Sequence, residues 1–207
     1  MKPNFTVYHM TASRSLRVVW LLEELELPYS VEMIGFDFGN AGGESFKKIH
    51  PLQKVPALTD GDTTMYESVA IMQYVMNMHG DGGLRPEVGD AEYASYLQWL
   101  HFGEATLMPI IVDLLKHRRF YPKEERLDPV IEKAEIQLEK QLGFLASQIG
   151  VKDYILERGF SAADISVAYC MLLLRLVGAK SLIPETVMAY WNRAIARPAW
   201  IAASKVE

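Results

Sequence analysis

The chain has little cysteine and no long apolar run. Cys170 is the single cysteine among 207 residues, which excludes an internal disulfide, and it lies in an apolar stretch where a buried, inert thiol is expected. That stretch is far shorter than the roughly 20 residues needed to span a bilayer. The first residues also lack the long apolar region and cleavage site of a signal peptide. We therefore predict a cytoplasmic protein with no membrane partner.

The sequence also lacks a cluster of basic residues. The chain carries 21 Lys and Arg against 26 Asp and Glu, a formal net charge of −5, and its basic residues are scattered. Binding to nucleic acid depends on clustered positive charge, so we expect no nucleic-acid partner. Half of the residues are hydrophobic and 23% are charged, which is typical of a globular chain long enough for one large domain or two small ones.

Strand and helix patterns alternate over residues 1–80. Apolar residues at i, i+3, i+4 and i+7 indicate the first helix, and β-branched or alternating residues indicate the strands. The predicted elements are a strand at 5–10, a helix at 15–26, a strand at 29–34, a loop at 36–43, a short helix at 44–49, strands at 55–59 and 63–66 around an Asp60-Gly61 turn, and a helix at 68–78. This order predicts a parallel strand pair joined by a crossover helix, and an antiparallel hairpin.

Glycine and proline crowd residues 81–90, which indicates a linker to a helical domain at 91–207. A long helix is predicted at 91–117 with a kink at Pro109, and Asp128-Pro129 opens another that runs to about residue 149. Pro184 and Pro198 open shorter helices. Ser161 and Asp164 have the spacing of a capping box, which anchors a central helix and carries no chemistry.

Two segments of the first half predict a site for a small zwitterionic peptide. Pro56 cannot donate a ladder hydrogen bond, so it belongs at the start or edge of a strand, where the backbone of Val55 is free to pair with an extended ligand. Glu67 offers a carboxylate for an amine. Ser68 and the helix-start N–H groups beside it suit a carboxylate.

The loop after the first strand carries hydroxyls where a glutaredoxin-like unit would carry a reactive cysteine. Thr11, Ser13 and Ser15 stand there, so the chain cannot run disulfide exchange at this point, but a hydroxyl can donate to a ligand thiolate. Such a bond contributes about 1.5–3 kcal/mol and a helix N-terminus about 0.3–1 kcal/mol, enough to lower a thiol pKa by about two units. The alternative for each serine is a plain helix cap. Tyr8 is a rival donor, although strand alternation favours it as a core residue.

Together these residues resemble the cytosolic glutathione transferases, most of all their serine-type bacterial members. The segments that carry the resemblance are Phe5-Thr6-Val7-Tyr8, residues 13–25 and Arg197-Pro198-Ala199-Trp200. The resemblance implies an α/β thioredoxin-like N-terminal domain followed by an all-α helical C-terminal domain, a homodimer, and glutathione as cosubstrate. In that family the donor hydroxyl stands four residues before the arginine matched by Arg17, which makes Ser13 the predicted catalytic residue.

The resemblance also assigns the glutathione-binding residues. Pro56 is implied to be the family's cis-proline, and Val55 to pair its backbone with the cysteinyl part of glutathione. Glu67 and Ser68 match the pair that holds the γ-glutamyl end. The remaining two, Gln53 and Lys54, lie where side chains reach the glycyl carboxylate.

The second substrate is expected between the two halves, because pockets prefer domain interfaces. The candidate residues for contact with a hydrophobic electrophile are Met10, His101, Glu104 and Met108. The alternative for His101 and Glu104 is a satisfied pair at a helix or subunit contact. The His-x-x-Glu spacing occurs once with no second ligand cluster, so no metal site is expected.

The sequence thus predicts a transferase that stabilises the glutathione thiolate and conjugates it to an apolar electrophile, an activity of detoxification. The same scaffold hosts glutathione-dependent isomerases, dehalogenases and peroxidases, so the fold does not choose among them. A non-catalytic regulatory protein that binds glutathione is a further alternative. The hydroxyl cluster and the intact Glu67-Ser68 pair favour an enzyme, since a scaffold has no need of them.

Overall fold

Two compact units make up the chain, one formed by the residues up to Gly83 together with those from Arg197 onward, the other by Leu84–Ala196. The computed structural model describes residues 4–37 and 40–206, and residues 1–3, 38, 39 and 207 lie outside this description. None of the described helices combines the length and apolar character required to cross a bilayer.

The first unit is built on a four-stranded mixed sheet. Its elements in chain order are β1 (Phe5–His9), α1 (Ser15–Glu24), β2 (Tyr29–Met33), β3 (Phe36–Asp37), β4 (Asn40–Ala41), α2 (Gly43–Phe46), β5 (Ala57–Asp60), β6 (Thr63–Tyr66) and α3 (Ser68–His79). The strand order is β2-β1-β5-β6, with β1 parallel to β2 and antiparallel to β5, and with β5 antiparallel to β6. The crossover and the hairpin are as predicted, and this sheet unit is the thioredoxin-like part of the fold.

One predicted loop contains structure that the sequence pattern did not reveal. Within residues 36–43, β3 and β4 pair antiparallel, while residues 38 and 39 of the predicted loop are not described. Strands of two residues are too short to show alternation. Gly42 follows with φ +68°, and a Cβ there would lie 2.4 Å from the Cβ of Phe46, so the turn into α2 requires glycine.

The second unit is helical. Its helices are α4 (Tyr93–Phe102), α5 (Met108–Leu115), α6 (Asp128–Ile149), α7 (Ala162–Leu176) and α8 (Glu185–Ile195). A π-helical turn, Gly103–Leu107, joins α4 to α5 directly before Pro109, which has no N–H to continue the ladder. A Cβ on Gly103 would lie 2.5 Å from the carbonyl oxygen of Ser166 in α7, so glycine permits this close helix contact. The sheet unit and the helical unit together confirm the predicted fold class.

The predicted capping box anchors α7. The buried Asp164 carboxylate accepts from the backbone N–H groups of Ser161 at 2.8 Å and Ile155 at 3.0 Å, and from Ser161 Oγ at 2.9 Å. Burial raises the pKa of Asp164 to about 6, so the carboxylate is ionised at neutral pH. Deeper in α7, Cys170 is fully buried and its Sγ lies 3.3 Å from the carbonyl oxygen of Gly103, as expected for an inert thiol.

The last helix, α9 (Pro198–Ala203), belongs to the first unit, although the sequence analysis placed it in the helical domain. It covers α1, where the Trp20 and Trp200 rings lie 4.6 Å apart. Arg197 donates to both carboxylate oxygens of Glu24, at 2.6 and 2.7 Å, and Trp20 Nε1 donates to the same carboxylate at 3.0 Å. The apolar spacing predicted an amphipathic helix, yet residues 15–22 are all buried, because α9 packs on α1 in addition to α3 and β1.

Removal of the Asp164 carboxylate should destabilise the protein. Asp164→Ala leaves buried donors of Ser161 and Ile155 without an acceptor, and we expect a loss of about 2–5 kcal/mol in the free energy of unfolding, measured by urea denaturation at neutral pH. Asp153→Ala is the control, because that side chain is 81% exposed and should cost below about 0.5 kcal/mol. Equal effects of the two variants would contradict the capping role.

The Arg197–Glu24 pair should hold α9 on the first unit. The Glu24 side chain is only 6% exposed, so Arg197→Ala leaves a buried carboxylate without its cation, and we expect a loss of about 2–4 kcal/mol in the free energy of unfolding. Arg158→Ala removes a more exposed pair with Asp90 and should cost about 1 kcal/mol or less. Adding Glu24→Gln to Arg197→Ala should recover part of the loss; a strictly additive double variant would show that the pair is not coupled.

Candidate functional site

The turn between β1 and α1 places Ser13 two residues before the first residue of the helix, Ser15. Ala12 has φ +58°, a left-handed conformation that costs energy for a residue with a Cβ. The N–H of Ser13 donates to the carbonyl of Met10 at 3.1 Å, and the N–H of Ser15 donates to Ser13 Oγ at 3.3 Å. These bonds fix a half-buried hydroxyl at the N-terminus of α1.

Two of the three predicted hydroxyls, those of Ser13 and Ser15, are hydrogen-bonded to each other. A line of hydrogen bonds continues from them into the protein interior. Ser13 Oγ lies 2.6 Å from Ser15 Oγ, which lies 2.8 Å from Nδ1 of His9. Ser15 is fully buried and also accepts from the N–H of Met10 at 3.2 Å, whereas Thr11 is exposed. Ser13 is therefore the outer end of this series of hydrogen bonds.

His9 is a site residue that no pattern in the sequence indicates. It is 1% exposed, at the end of β1, and burial lowers its pKa, while a hydrogen bond with the Val206 backbone acts in the opposite direction. In sequence it stands in a strand six residues before Ser15, with no spacing that marks the contact. Only the turn at Ala12 and the return of the chain after α9 bring the three groups together.

Tyr8 is placed in the core. It is 7% exposed and belongs to a cluster with Ile34, Ala41, Phe46 and Ala57, its ring centroid 5.5 Å from that of Phe46. This environment supports the interpretation that strand alternation favoured.

The segment before β5 has the open backbone that the sequence predicted. The Val55–Pro56 peptide bond is cis, as the resemblance implies, and Pro56 is buried. The strand begins at Ala57, two residues later than predicted. Across the described residues, neither the N–H nor the C=O of Val55 has a hydrogen-bond partner, so both are available to an extended ligand.

Gln53 and Lys54 differ in how firmly they are held. Gln53 has φ +48°, its N–H donates to the carbonyl of His50 at 2.8 Å, and its side-chain Nε2 donates to the carbonyl of Gly43 at 2.7 Å. Its amide is therefore already engaged with the turn into α2, with one further amide hydrogen to offer. Lys54 is exposed.

Glu67 and Ser68 stand at the start of α3 in a strained turn. Glu67 has φ +68° and is exposed, whereas Ser68 is 2% exposed and its Oγ accepts from Nη1 of Arg17 at 3.2 Å. Because its oxygen is the acceptor in that bond, the Ser68 hydroxyl keeps its proton for a ligand. Arg17 is fully buried in α1, one turn after Ser13.

His50 lies within the electrostatic influence of both Lys54 and Glu67. Burial lowers its pKa, the carboxylate of Glu67 acts to raise it, and the ammonium of Lys54 acts to lower it. The His50 ring lies 4.1 Å from the ring of Tyr66, and its Nδ1 accepts from the N–H of Leu52 at 3.2 Å. Glu67 and Lys54, thirteen residues apart in sequence, thus act on the same buried ring.

The candidate electrophile contacts fall in both units. Met10 is half-buried in the first unit, and in the second His101 is exposed, Glu104 half-buried and Met108 buried. Within the described part of the chain, no three His, Cys, Asp or Glu side chains are grouped as metal ligands.

Residues 3–77 match the family described as "Glutathione S-transferase, N-terminal domain". "Glutathione S-transferase 3" of Schizosaccharomyces pombe is 38% identical over 105 residues, which cover 51% of this chain and 43% of that protein, less than half of its length. The glutathione S-transferase of Hyoscyamus muticus is 27% identical over 89% of this chain and 90% of its own.

A solved structure of a glutathione transferase family member from Pseudomonas fluorescens, with two glutathione bound, is similar in fold. Its TM-score is 0.84 at 23% identity, over 98% of this chain and 93% of that one. The N-terminal family match, relatives along nearly the whole chain and the shared fold agree: residues 3–77 form a glutathione S-transferase N-terminal domain, and the chain is similar along nearly its whole length to proteins named glutathione S-transferases, which are transferase enzymes.

Proposed function

We propose that the first unit binds glutathione and that the protein transfers the glutathione thiolate to an apolar electrophile. The observation that carries the proposal is the Ser13 hydroxyl just before α1, the helix whose Arg17 donates to Ser68 at the start of α3. The names of the relatives and the glutathione held by the Pseudomonas fluorescens protein support it.

Each part of glutathione has a matching group. The cysteinyl main chain pairs with the open N–H and C=O of Val55, beside the cis bond to Pro56. The γ-glutamyl ammonium meets the carboxylate of Glu67, and its carboxylate accepts from the Ser68 hydroxyl and the N–H groups of α3. We assign the glycyl carboxylate to the ammonium of Lys54 and to the remaining amide hydrogen of Gln53.

The chemical step is attack by the thiolate sulfur. The Ser13 hydroxyl donates to the sulfur, and the positive end of α1 adds to the stabilisation of its charge. A carbon–sulfur bond forms with the electrophile as its leaving group departs with the electron pair. Met10, His101, Glu104 and Met108 remain the proposed contacts of that hydrophobic substrate.

The proposed assembly and cellular location rest on the similarity to glutathione S-transferases and not on the geometry. We propose a homodimer that works in the cytoplasm on reactive apolar compounds, with glutathione as cosubstrate and no metal. Equilibrium sedimentation tests the dimer directly.

Ser13→Ala should slow turnover while glutathione still binds. Loss of a hydrogen bond to a charged sulfur removes about 1.5–3 kcal/mol, so we expect kcat with an activated chloroarene to fall by about 10- to 100-fold, with little change in the Kd for glutathione. Thiolate absorbance of the bound glutathione reports the ionisation independently of turnover. Thr11→Ala is the matched control, because it removes the exposed hydroxyl two residues earlier. Unchanged turnover of Ser13→Ala would contradict its role.

Glu67→Gln should weaken glutathione binding. The substitution keeps the shape but replaces a charge-assisted hydrogen bond by a neutral one, for which we expect about a tenfold rise in Kd by calorimetry. A glutathione analogue that lacks the γ-glutamyl ammonium should bind Glu67→Gln and the unaltered protein equally. Glu44→Gln, at an 85% exposed side chain on α2, should change neither. If the unaltered protein does not bind glutathione at all, the proposed function itself is wrong.

A further inference from the structure

The hydrogen-bond chain behind Ser13 ends on a base that the proposed function does not use. His9 Nδ1 is 2.8 Å from Ser15 Oγ, which is 2.6 Å from Ser13 Oγ. The three side chains form one line of hydrogen bonds, from the half-buried Ser13 to His9, which is 1% exposed. A single hydroxyl would suffice to donate to a thiolate, so the inner two groups call for an explanation.

The direction of these bonds is set by the far side of the His9 ring. The Val206 backbone acts to raise the pKa of His9, which is the effect of a carbonyl on a ring N–H, so we assign the proton of the neutral ring to the nitrogen on that side. In the neutral ring the other nitrogen, Nδ1, is then an acceptor. Ser15 donates to it, and Ser15 Oγ in turn accepts from Ser13.

In this arrangement the Ser13 proton points inward and is not available to a thiolate. It becomes available when His9 is protonated: Nδ1–H then donates to Ser15 Oγ, Ser15 donates to Ser13 Oγ, and Ser13 donates outward. Ser15 could instead donate to the carbonyl of Met10, but that contact is 3.4 Å, longer than the 2.8 Å contact with His9.

We propose that His9 receives the proton of the glutathione thiol through Ser15 and Ser13, a proposal that rests on the proposed glutathione site. The S–H bond breaks and its proton moves to Ser13 Oγ, the Ser13 proton moves to Ser15 Oγ, and the Ser15 proton moves to His9 Nδ1. The products are a thiolate that accepts from Ser13 and an imidazolium that donates to Ser15. After conjugation the proton returns along the same hydroxyls and leaves with the departing group, so no other reactant is needed.

The surroundings of His9 leave the thiolate as its counterion. The residues recorded against it are Met33 and Ile34 at and after the end of β2, Ser15 on α1 and Val206 after α9, and none of these four carries a charged side chain. The buried cation of α1, Arg17, donates to Ser68 at the start of α3. Burial lowers the pKa of His9, so the free protein holds it neutral, and a thiolate at the outer end of the chain is what favours its charged form.

The direct test follows His9 in the unaltered protein. The ¹⁵N chemical shifts of its ring should report a neutral imidazole in the free protein and an imidazolium when glutathione is bound at neutral pH. S-methylglutathione fills the same site without a thiol proton and should leave the ring neutral. A ring that stays neutral while absorbance shows a bound thiolate would overturn the relay, whatever the fate of the proposed function.

A matched pair of substitutions tests the kinetic consequence. His9→Asn keeps an acceptor near the Nδ1 position but removes the base, and it should raise the apparent pKa of kcat/KM by about one pH unit and lower kcat/KM below that pKa by about tenfold. The Kd for S-methylglutathione should not change. His117→Asn is the control, since the buried His117 Nδ1 also accepts a hydrogen bond, from the N–H of Leu127 at 3.1 Å.

The outcomes separate the relay from a structural role and from the proposed function. If His9→Asn binds S-methylglutathione normally and keeps the pH profile of the unaltered protein, the relay is wrong while the proposed function stands. If the unaltered protein binds neither ligand, the proposed function has failed first. If His9→Asn does not fold, the ¹⁵N measurement decides alone.

Discussion

The hydrogen bond from Arg17 to Ser68 is the interaction on which the arrangement of the site depends. A fully buried guanidinium costs free energy unless its N–H groups are hydrogen-bonded. Separation of the N-terminal ends of α1 and α3 would therefore remove an acceptor from the buried charge of Arg17. Ser13 lies one turn before Arg17, and Glu67 directly before Ser68. The thiol end and the γ-glutamyl end of the proposed ligand are thereby set at one spacing by a single side chain.

Backbone strain gathers on the same loops. Of the four non-glycine residues with positive φ in the described chain, three are Ala12, Gln53 and Glu67, which directly precede Ser13, Lys54 and Ser68. Such conformations cost of order 1–3 kcal/mol each and persist only where the surroundings determine them. The sheet behind them supplies that support, because Val7 and Leu58 are opposite each other on β1 and β5 and both are fully buried. Rigidity of the core is what permits strain at the ligand-facing edge.

Much of the fold follows from local patterns, and the exceptions have physical reasons. The crossover helix, the β5–β6 hairpin and the Ser161–Asp164 box all depend on residues close in sequence, and all were predictable. The environment of Arg17 was not, since an arginine on a helix is expected to reach solvent, whereas this one is fully buried and donates to Ser68 of α3, 51 residues later in the chain. The contacts of His9 were not predictable either. Its partners are Ser15, across a turn, and the distant backbone of Val206, and neither contact produces a periodic pattern in the sequence. The Gln53 amide is turned towards Gly43 by a positive φ that no composition rule assigns to glutamine.

The first unit is discontinuous, since its last piece begins at Arg197 and the helical unit lies between. On the ribosome, residues 4–83 emerge before α9, the helix that covers α1. Trp20 and the Glu24 carboxylate therefore remain exposed to solvent until more than a hundred further residues have been added. The segment that closes this unit also carries Val206, the partner of His9. Synthesis therefore completes the inner end of the hydroxyl chain last, and a nascent chain already able to form its sheet cannot yet orient the imidazole behind its serines.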